Sequence, residues 1–431
     1  MSKPIDRREL LRNSALAGVG LWIASGSARA ASKSPNEKLN IAIIGCAGRG
    51  GDNLSAVAGE NIVALCDVDE QRAAPAFARF PQAKKYHDFR KMLAEMDKQI
   101  DAVVVSTTDH THAPASVAAM RMGKHCYCEK PLTHTVSEAR LMAEVAAKHK
   151  VVTQIGTQIH AGANYRRVVE LVQSGAVGPV QEVHVWIGWG GGGAKQPTDT
   201  PPVPPTLHWD LWIGPAPLRP YHPAYMAGGW RQWSDFASGT IGDFGPHYVD
   251  LPYWALKLRH PLTIEAQGPP AVPGCPPWVL TVRYEFPARG ELPPVKLIYY
   301  QGAGNTPVIA EKKLPSWTTG VLFVGSKGMV LSDYGRRLLL PEATFAGLKP
   351  PAPTIPDSIG HHQEWVAACK TGGPTTCGFD YAGPLNEALL LGNVAYYAKT
   401  KLQWDPAGLK ATNCPEADKF IHHHYRAGWT L

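Results

Sequence analysis

"LNIAIIGCAGRGG", residues 39–51, sets an apolar run of strand length directly against a glycine-rich turn. Isoleucines and alanines that stop at glycines and then open a helical pattern read as a strand, turn and helix in sequence. Gly45, Ala47 and Gly50 occupy the three positions of G-x-G-x-x-G, with Gly48 and Arg49 inside the turn. A tight turn followed by a bare helix N-terminus lets a pyrophosphate approach backbone amides. A second apolar run, "NIVALCDV" (61–68), ends in Asp67, seventeen residues beyond Gly50. A carboxylate there accepts hydrogen bonds from an adenosine ribose and repels a 2′-phosphate, so the expected cofactor is NAD rather than NADP.

Working outward, "IDAVVVST" (100–107), "HCYCEK" (125–130) and "VVTQIGT" (151–157) are further short runs rich in Val and Ile. Helical patterns such as "ASVAAMRMGK" and "VSEARLMAEVAAKH" separate them, so residues 38–158 read as a Rossmann domain on a parallel sheet. "NYRRVVELVQSG" then places Tyr165, Val168, Val169 and Val172 at helical intervals and stops at Gly175. Beyond it come longer strand candidates, "VQEVHVWIGW", "WVLTVRYEF", "VKLIYYQG" and "VLFVGSKGMVLS". Residues 159–431 are therefore expected to form an α+β domain with a large, mainly antiparallel sheet. "GGGGAKQPTDTPPVPPTLHWDLWIGPAP" is too rich in Gly and Pro for regular structure and reads as a long functional loop.

At 431 residues the chain exceeds one ordinary core, which agrees with two domains. Its first thirty residues read as an address. Arg7 and Arg8 are paired, an apolar stretch runs from Ala15 to Ala24, and Ala28-Arg29-Ala30 ends in an A-x-A cleavage pattern. The apolar run falls short of the ~20 residues that a membrane span requires. Twin-arginine export to the periplasm is the expectation, with no stable membrane span. Removing residues 1–30 takes away five basic and two acidic residues, and the net charge falls from +7 to +4. No Lys/Arg run marks a nucleic-acid stripe, so nucleic acid is not an expected partner.

Cys46, Cys66, Cys126 and Cys128 lie in or beside strand-like runs and read as inert core thiols, and C-Y-C lacks metal-clip spacing. Cys369 and Cys377 flank a turn and are the candidate disulfide. His422, His423 and His424 are consecutive and fan outward instead of converging, so no metal site is expected.

Two stretches carry chemistry. In "HCYCEKPLTH" (125–134) a lysine, Lys130, stands where a buried strand stops, ahead of Pro131. A cation at the carboxyl end of a sheet strand is aimed into the crevice where open α/β sheets bind ligands. In "WRQWSDFASGTIGDFGPHYVDLPYWAL", Asp243 and His247 lie four residues apart. If Pro246 begins a helix, the pair sits around its first turn, where the carboxylate can orient the imidazole and raise its basicity.

"GCAGRGG", "CDVD", "YHDFRKML", "STTDHTH", "GKHCYCEKPLTHT" and "GDFGPHYVD", in this order, resemble the Gfo/Idh/MocA oxidoreductase family. "HHQEWVAACKTGGP", "LLLGNVAYYAKTKLQWD" and "YRAGWTL" look like the end of its exported bacterial branch. The resemblance implies that Lys130 lies by the nicotinamide and binds the reacting hydroxyl, and that Asp243 and His247 complete the site with His247 as acid/base. It implies cofactor contacts from Gly45, Ala47, Gly48, Arg49, Gly50, Asp67, Thr107, His112, Glu129, Lys130 and Gln158. His160, Tyr165 and Arg166 follow closely enough to reach substrate, and Trp230 and His247 join them as substrate contacts. Trp189, Trp209, Trp230 and Trp233 either stack on sugar faces or belong to the core. The chain departs from the commoner pattern at Ala47, at Thr108 where many relatives have proline, and at Pro246. A homodimer or homotetramer is also what the resemblance implies.

The expected activity is NAD(H)-dependent oxidation or reduction at a hydroxyl of a sugar, glycoside or polyol. A periplasm offers little free NAD, so the cofactor is expected to load in the cytoplasm and stay bound. The alternative is a glycosidase or lyase that oxidises its substrate transiently, eliminates, and returns the hydride. A binding protein that retains the fold without turnover is a third possibility, opposed by the presence of Lys130, Asp243 and His247.

Overall fold

In this computed structural model, which describes residues 37–191 and 193–431, the stretch 39–51 forms strand β1 (Asn40–Ile44), a turn, and helix α1 (Arg49–Ala56). The expected export segment, residues 1–30, lies outside the described residues. Strands β2 (Asn61–Cys66), β3 (Lys84–Tyr86), β4 (Ala102–Val105), β5 (His125–Cys128) and β6 (Thr153–Ile155) complete a six-stranded sheet. Its order is β3-β2-β1-β4-β5-β6, and every pairing is parallel. Both faces are covered by α1, α2 (Glu70–Arg79), α3 (Phe89–Met96), α4 (Asp109–Arg121) and α5 (Val136–His149), which is why β4 is buried at every position. A capping box between Thr135 and Glu138 starts α5 at the predicted residue. Strand order reverses between β1 and β4, so the crevice that takes ligands opens at their carboxyl ends.

Helix α6 (Ala163–Gln173) leads into the second sheet, built from nine strands. These are β7 (Val180–Ile187), β8 (Thr263–Gln267), β9 (Leu280–Phe286), β10 (Val295–Gln301), β11 (Thr319–Gly325), β12 (Gly328–Ser332), β13 (Arg337–Leu340), β14 (Leu402–Asp405) and β15 (Lys410–Ala411). Their order is β13-β12-β11-β7-β10-β9-β8-β14-β15, antiparallel except for the β7–β10 pair. One face packs on α6, α7 (Gly245–Leu256) and α9 (Phe379–Ala398) through Val168, Val249, Leu389 and their neighbours. The other face carries a smaller cluster around Trp186, Tyr300 and Leu322. "VLFVGSKGMVLS" is two strands, because Ser326 and Lys327 turn the chain back into the β11–β12 hairpin. The Gly/Pro-rich segment holds only a short helical turn, Trp209–Ile213, among the described residues.

The chain then returns to the first sheet. Trp365 and Cys369 of α8 (His361–Thr371) pack with Leu65, Val104 and Tyr127 on one face. Cys377, Phe379 and Ala382 pack with Val105, Cys128 and Ile155 on the other. The candidate disulfide is not formed: Cys369 and Cys377 are both free and buried, on opposite faces of one sheet. Among the described residues no helix is long and apolar enough to cross a membrane.

Candidate active site

The turn after β1 is tight enough to require its glycines. Gly45 has φ +83°, and a Cβ there would lie 2.5 Å from the Ser106 carbonyl oxygen. A Cβ on Gly50 would lie 2.0 Å from the oxygen of Gly45, so α1 seats against the turn. Gly48 caps α1 with no side-chain hydrogen bond, which leaves the helix N-terminus open to an anion. Asp67 accepts hydrogen bonds from Cys46 N at 2.7 Å and Asp69 N at 3.0 Å. Burial pushes its carboxyl up, against the pull of these two amides.

From this turn a cleft of about 300 Å³ extends along the carboxyl ends of β1, β2 and β4. Gly45, Ala47, Gly48, Arg49, Asp67 and Thr107 line its floor, while Trp212, Met226, Trp230, Arg231 and Trp429 line its roof. The roof comes from the second domain and is tied down at several points. Glu70 N donates to Thr206 O at 3.0 Å and His208 N to Val68 O at 2.9 Å. Arg426 donates through Nε to Gly214 O at 2.6 Å, and Arg90 lies 4.2 Å over the Trp429 ring.

Next to Arg231 of the cleft, Lys130 follows β5 and precedes a cis bond to Pro131. Its Nζ donates to the Asp243 carboxylate and, at 2.9 Å, to the Asp243 carbonyl. Arg231 Nε meets the other Asp243 oxygen at 3.1 Å. Burial acts to raise this carboxyl, but Lys130 and Arg231 overcome it and hold Asp243 below the usual carboxylate range. His247 stands in the first turn of α7, which starts at Gly245, one residue ahead of Pro246, while Asp243 ends the short helix Gly239–Asp243 before it. The His247 Nδ1 is buried with no hydrogen-bond partner among the described residues. Burial, and then the Lys130 charge, push its imidazole down to about 3, with Asp243 acting in the opposite direction. The expectation that Asp243 orients His247 and raises its basicity is corrected in part: both Asp243 oxygens are taken by cations, and although Asp243 acts to raise the imidazole, burial and Lys130 outweigh it.

Behind Lys130, Glu129 is buried and its Oε1 accepts from Asn53 at 2.9 Å and Gln158 at 2.8 Å. Burial raises its carboxyl against the pull of Asn53 and Arg49. His112 sits with Nδ1 2.7 Å from Pro131 O and Nε2 3.1 Å from Thr107 O, so it ties together the chain segments that follow β4 and β5. Buried as it is, its ring is pushed down to about 4.

Three expected substrate contacts face inward instead. His160 is fully buried, 2.9 Å from both Asp250 oxygens and stacked on Trp254. Arg166 is spent on Glu364 at 2.6 Å, and Tyr165 donates its hydroxyl to His247 O at 2.9 Å. The helical spacing that marked α6 also turns Tyr165 and Arg166 toward the core. Trp233 belongs to the core at 1% exposure and Trp209 stacks on Trp212, whereas Trp230 lines the cleft and Trp189 is exposed beside Phe244. Sequence reasoning missed Arg231, twelve residues from its partner Asp243, and Asn53, His362 and Trp429, whose partners are far away in the chain. His362 Nε2 reaches Asn53 Oδ1 at 2.9 Å across the domains. It also missed Asp109, buried near Asp243 and Lys130. Burial, with a contribution from Asp243, pushes its carboxyl up to about 8, against the pull of Arg231 and Lys130.

Residues 39–157 match the family model of the NAD-binding Rossmann fold of the Gfo/Idh/MocA oxidoreductases, and residues 162–279 match that family's C-terminal alpha/beta domain. The chain belongs to the Gfo/Idh/MocA oxidoreductase family. Inositol 2-dehydrogenase of Salmonella paratyphi B is 30% identical over 152 residues, 34% of this chain and 45% of that one. A glycosyl hydrolase family 109 protein of Solibacter usitatus is 33% identical over 193 residues, 40% of this chain and 43% of that one. The chain thus spans less than half the length of these curated relatives. The WlbA dehydrogenase of Bordetella pertussis, solved with NADH and UDP-GlcNAcA, superposes with a TM-score of 0.60 at 15% identity. That match covers 86% of this chain and 99% of WlbA. The family's first domain binds NAD, and the glycine cradle, the uncapped start of α1 and Asp67 fit that cofactor here.

Proposed function

We propose that this Gfo/Idh/MocA member moves hydride between NAD(H) and a carbon bearing a hydroxyl on a sugar, glycoside or polyol. The observation that carries the reading is a cation, Lys130, held by Asp243 next to Arg231 of the cleft, together with a buried imidazole, His247, whose Nδ1 has no partner among the described residues. Lys130 donates to the substrate oxygen and stabilises the charge that develops on it. His247 takes the hydroxyl proton, and burial keeps the ring neutral and ready to accept it. Asp243 aims Lys130, and Arg231 shares the carboxylate. Bound NAD supplies the acceptor for the hydrogen and electron pair that leave the carbon. The names of the inositol and glycosyl hydrolase relatives support a polyhydroxylated substrate.

The glycosyl hydrolase relative supports a second reading, in which oxidation acidifies a neighbouring C–H, a glycosidic group is eliminated, and the hydride returns. The roofed cleft suits both readings, because each is served by a cofactor that does not leave. Twin-arginine export of the loaded protein to the periplasm, and pairing through the outer face of the nine-stranded sheet, complete the proposal. Incubation with a glycoside panel in D₂O separates the two readings. A ketone without cleavage supports the dehydrogenase, and aglycone release with deuterium beside the former ketone supports the lyase. Inertness toward the whole panel with bound NAD intact sinks both. Arg7→Lys with Arg8→Lys is expected to hold the protein in the cytoplasm, and periplasmic wild type without nucleotide refutes cofactor retention.

A further inference from the structure

Three side chains that this chemistry does not use meet at the rim of the cleft. Glu70 opens α2, His87 lies between β3 and α3, and His208 comes from the roof segment of the second domain. Glu70 Oε1 is 3.1 Å from His208 Nε2 and 3.4 Å from His87 Nε2, and all the donor atoms lie within 4.8 Å of one another. A tetrahedral ion with bonds near 2.1 Å sets its ligand atoms about 3.4 Å apart.

The second observation is the far side of His87. Its Nδ1 is 3.0 Å from the Asp67 carbonyl oxygen. A carbonyl only accepts, so Nδ1 donates to it, and Nε2 is the ring nitrogen left to face the Glu70 carboxylate. A ring N–H bound to a backbone carbonyl is the usual support of a metal-ligating histidine. The His87 and His208 rings now stack at 4.0 Å with an interplanar angle of 24°. His208, with 38% of its side chain exposed, has room to turn so that both Nε2 atoms converge.

We propose that Glu70, His87 and His208 bind one divalent transition-metal ion of the zinc type, with water completing its coordination. Because His208 belongs to the roof and the other two to the nucleotide domain, the ion latches the roof over the adenosine end of the cleft.

The test uses full-length, NAD-loaded protein stripped of metal with a chelator and titrated with Zn²⁺ by calorimetry. Wild type is expected to bind one equivalent in the micromolar range or tighter. His208→Ala and Glu70→Gln are each expected to weaken binding at least about tenfold. The paired His422→Ala, His424→Ala variant is expected to bind as wild type does. No Zn²⁺ uptake, unchanged uptake in both site variants, or loss only in the His422/His424 variant overturns the site. For the latch, Zn²⁺ is expected to slow NADH release several-fold in wild type and not in His208→Ala. Equal release with and without Zn²⁺ overturns the latch.

Discussion

Lys130→Met keeps most of the apolar stem and removes the cation. In the native site the ammonium serves Asp243 twice and its side chain is 13% exposed. Stripping one partner from a buried pair usually costs ~3–5 kcal/mol, because the other charge is left alone. Asp243 is not left alone, since Arg231 stays at 3.1 Å, so the expected loss of stability is only about 1–2 kcal/mol. Catalysis should suffer more. A donor aimed at a developing oxyanion is worth about 2.7–4 kcal/mol, or roughly 10²- to 10³-fold in turnover. The Lys130 charge also helps to depress His247, so the variant imidazole should titrate higher, yet still below the ordinary range because burial remains the larger cause. The assay is single-turnover cofactor reduction across pH, with nucleotide content measured by mass spectrometry on the same preparation. Turnover within about threefold of wild type at full nucleotide occupancy would refute the assignment of Lys130 to the reacting oxygen.

His247→Ala should slow reduction by roughly 10²- to 10⁴-fold. With the imidazole pushed down to about 3, its neutral form persists throughout the neutral range, so the wild-type rate should be level on its account and fall only in strong acid. A limb near pH 6.5 that vanishes in His247→Ala contradicts this. Gly50→Ala should empty the nucleotide site and cost about 1–3 kcal/mol, because its Cβ has a carbonyl oxygen 2.0 Å away, and normal NAD content in the purified variant counts against the cradle. Wild type should release NAD and not NADP on denaturation. Asp67→Asn should improve the relative affinity for NADP and lose about 1 kcal/mol, as one of the amides of Cys46 and Asp69 goes unmatched; an unchanged preference in competition binding removes Asp67 from cofactor choice. Asp109, pushed up to about 8, binds its proton more tightly folded than unfolded, so its stabilising contribution is full in acid and lost as pH rises toward 8. Asp109→Asn should therefore gain on wild type in denaturant melts as pH rises from about 5 to 8, and parallel pH curves refute that reading.

The first sheet was legible because its strands are buried on both faces and read as uninterrupted Val/Ile runs, with helices of the right length between them. Strand β3 escaped notice because "KKY" is a three-residue edge with two exposed lysines. Strands β8, β13, β14 and β15 are short, and β13 to β15 lie at the margins of the second sheet, where the alternation is too brief to show. In the site, Lys130 and the glycine turn could be read because their chemistry is tied to a local strand end. Arg231, Asn53 and His362 could not, since each matters through a partner brought near only by folding. The errors at Tyr165 and Arg166 share a cause: nearness in sequence to a strand end was taken for nearness to the substrate. Residues 70, 87 and 208 converge only because the roof crosses from one domain to the other.

The return of the chain to the first sheet bears on how this protein can be cut and recombined. A fragment ending near residue 158 would carry all six strands of the nucleotide sheet but leave bare the surfaces that Trp365, Phe379 and Ala382 cover on its two faces. Such a fragment should be sticky and poorly soluble alone, and should recover when the remainder is supplied in trans. A chimaera that transplants this nucleotide module onto a foreign partner must therefore bring α8 and the start of α9 along with it. The heritable building block is discontinuous, even though the motifs that announce it all lie in the first third of the chain.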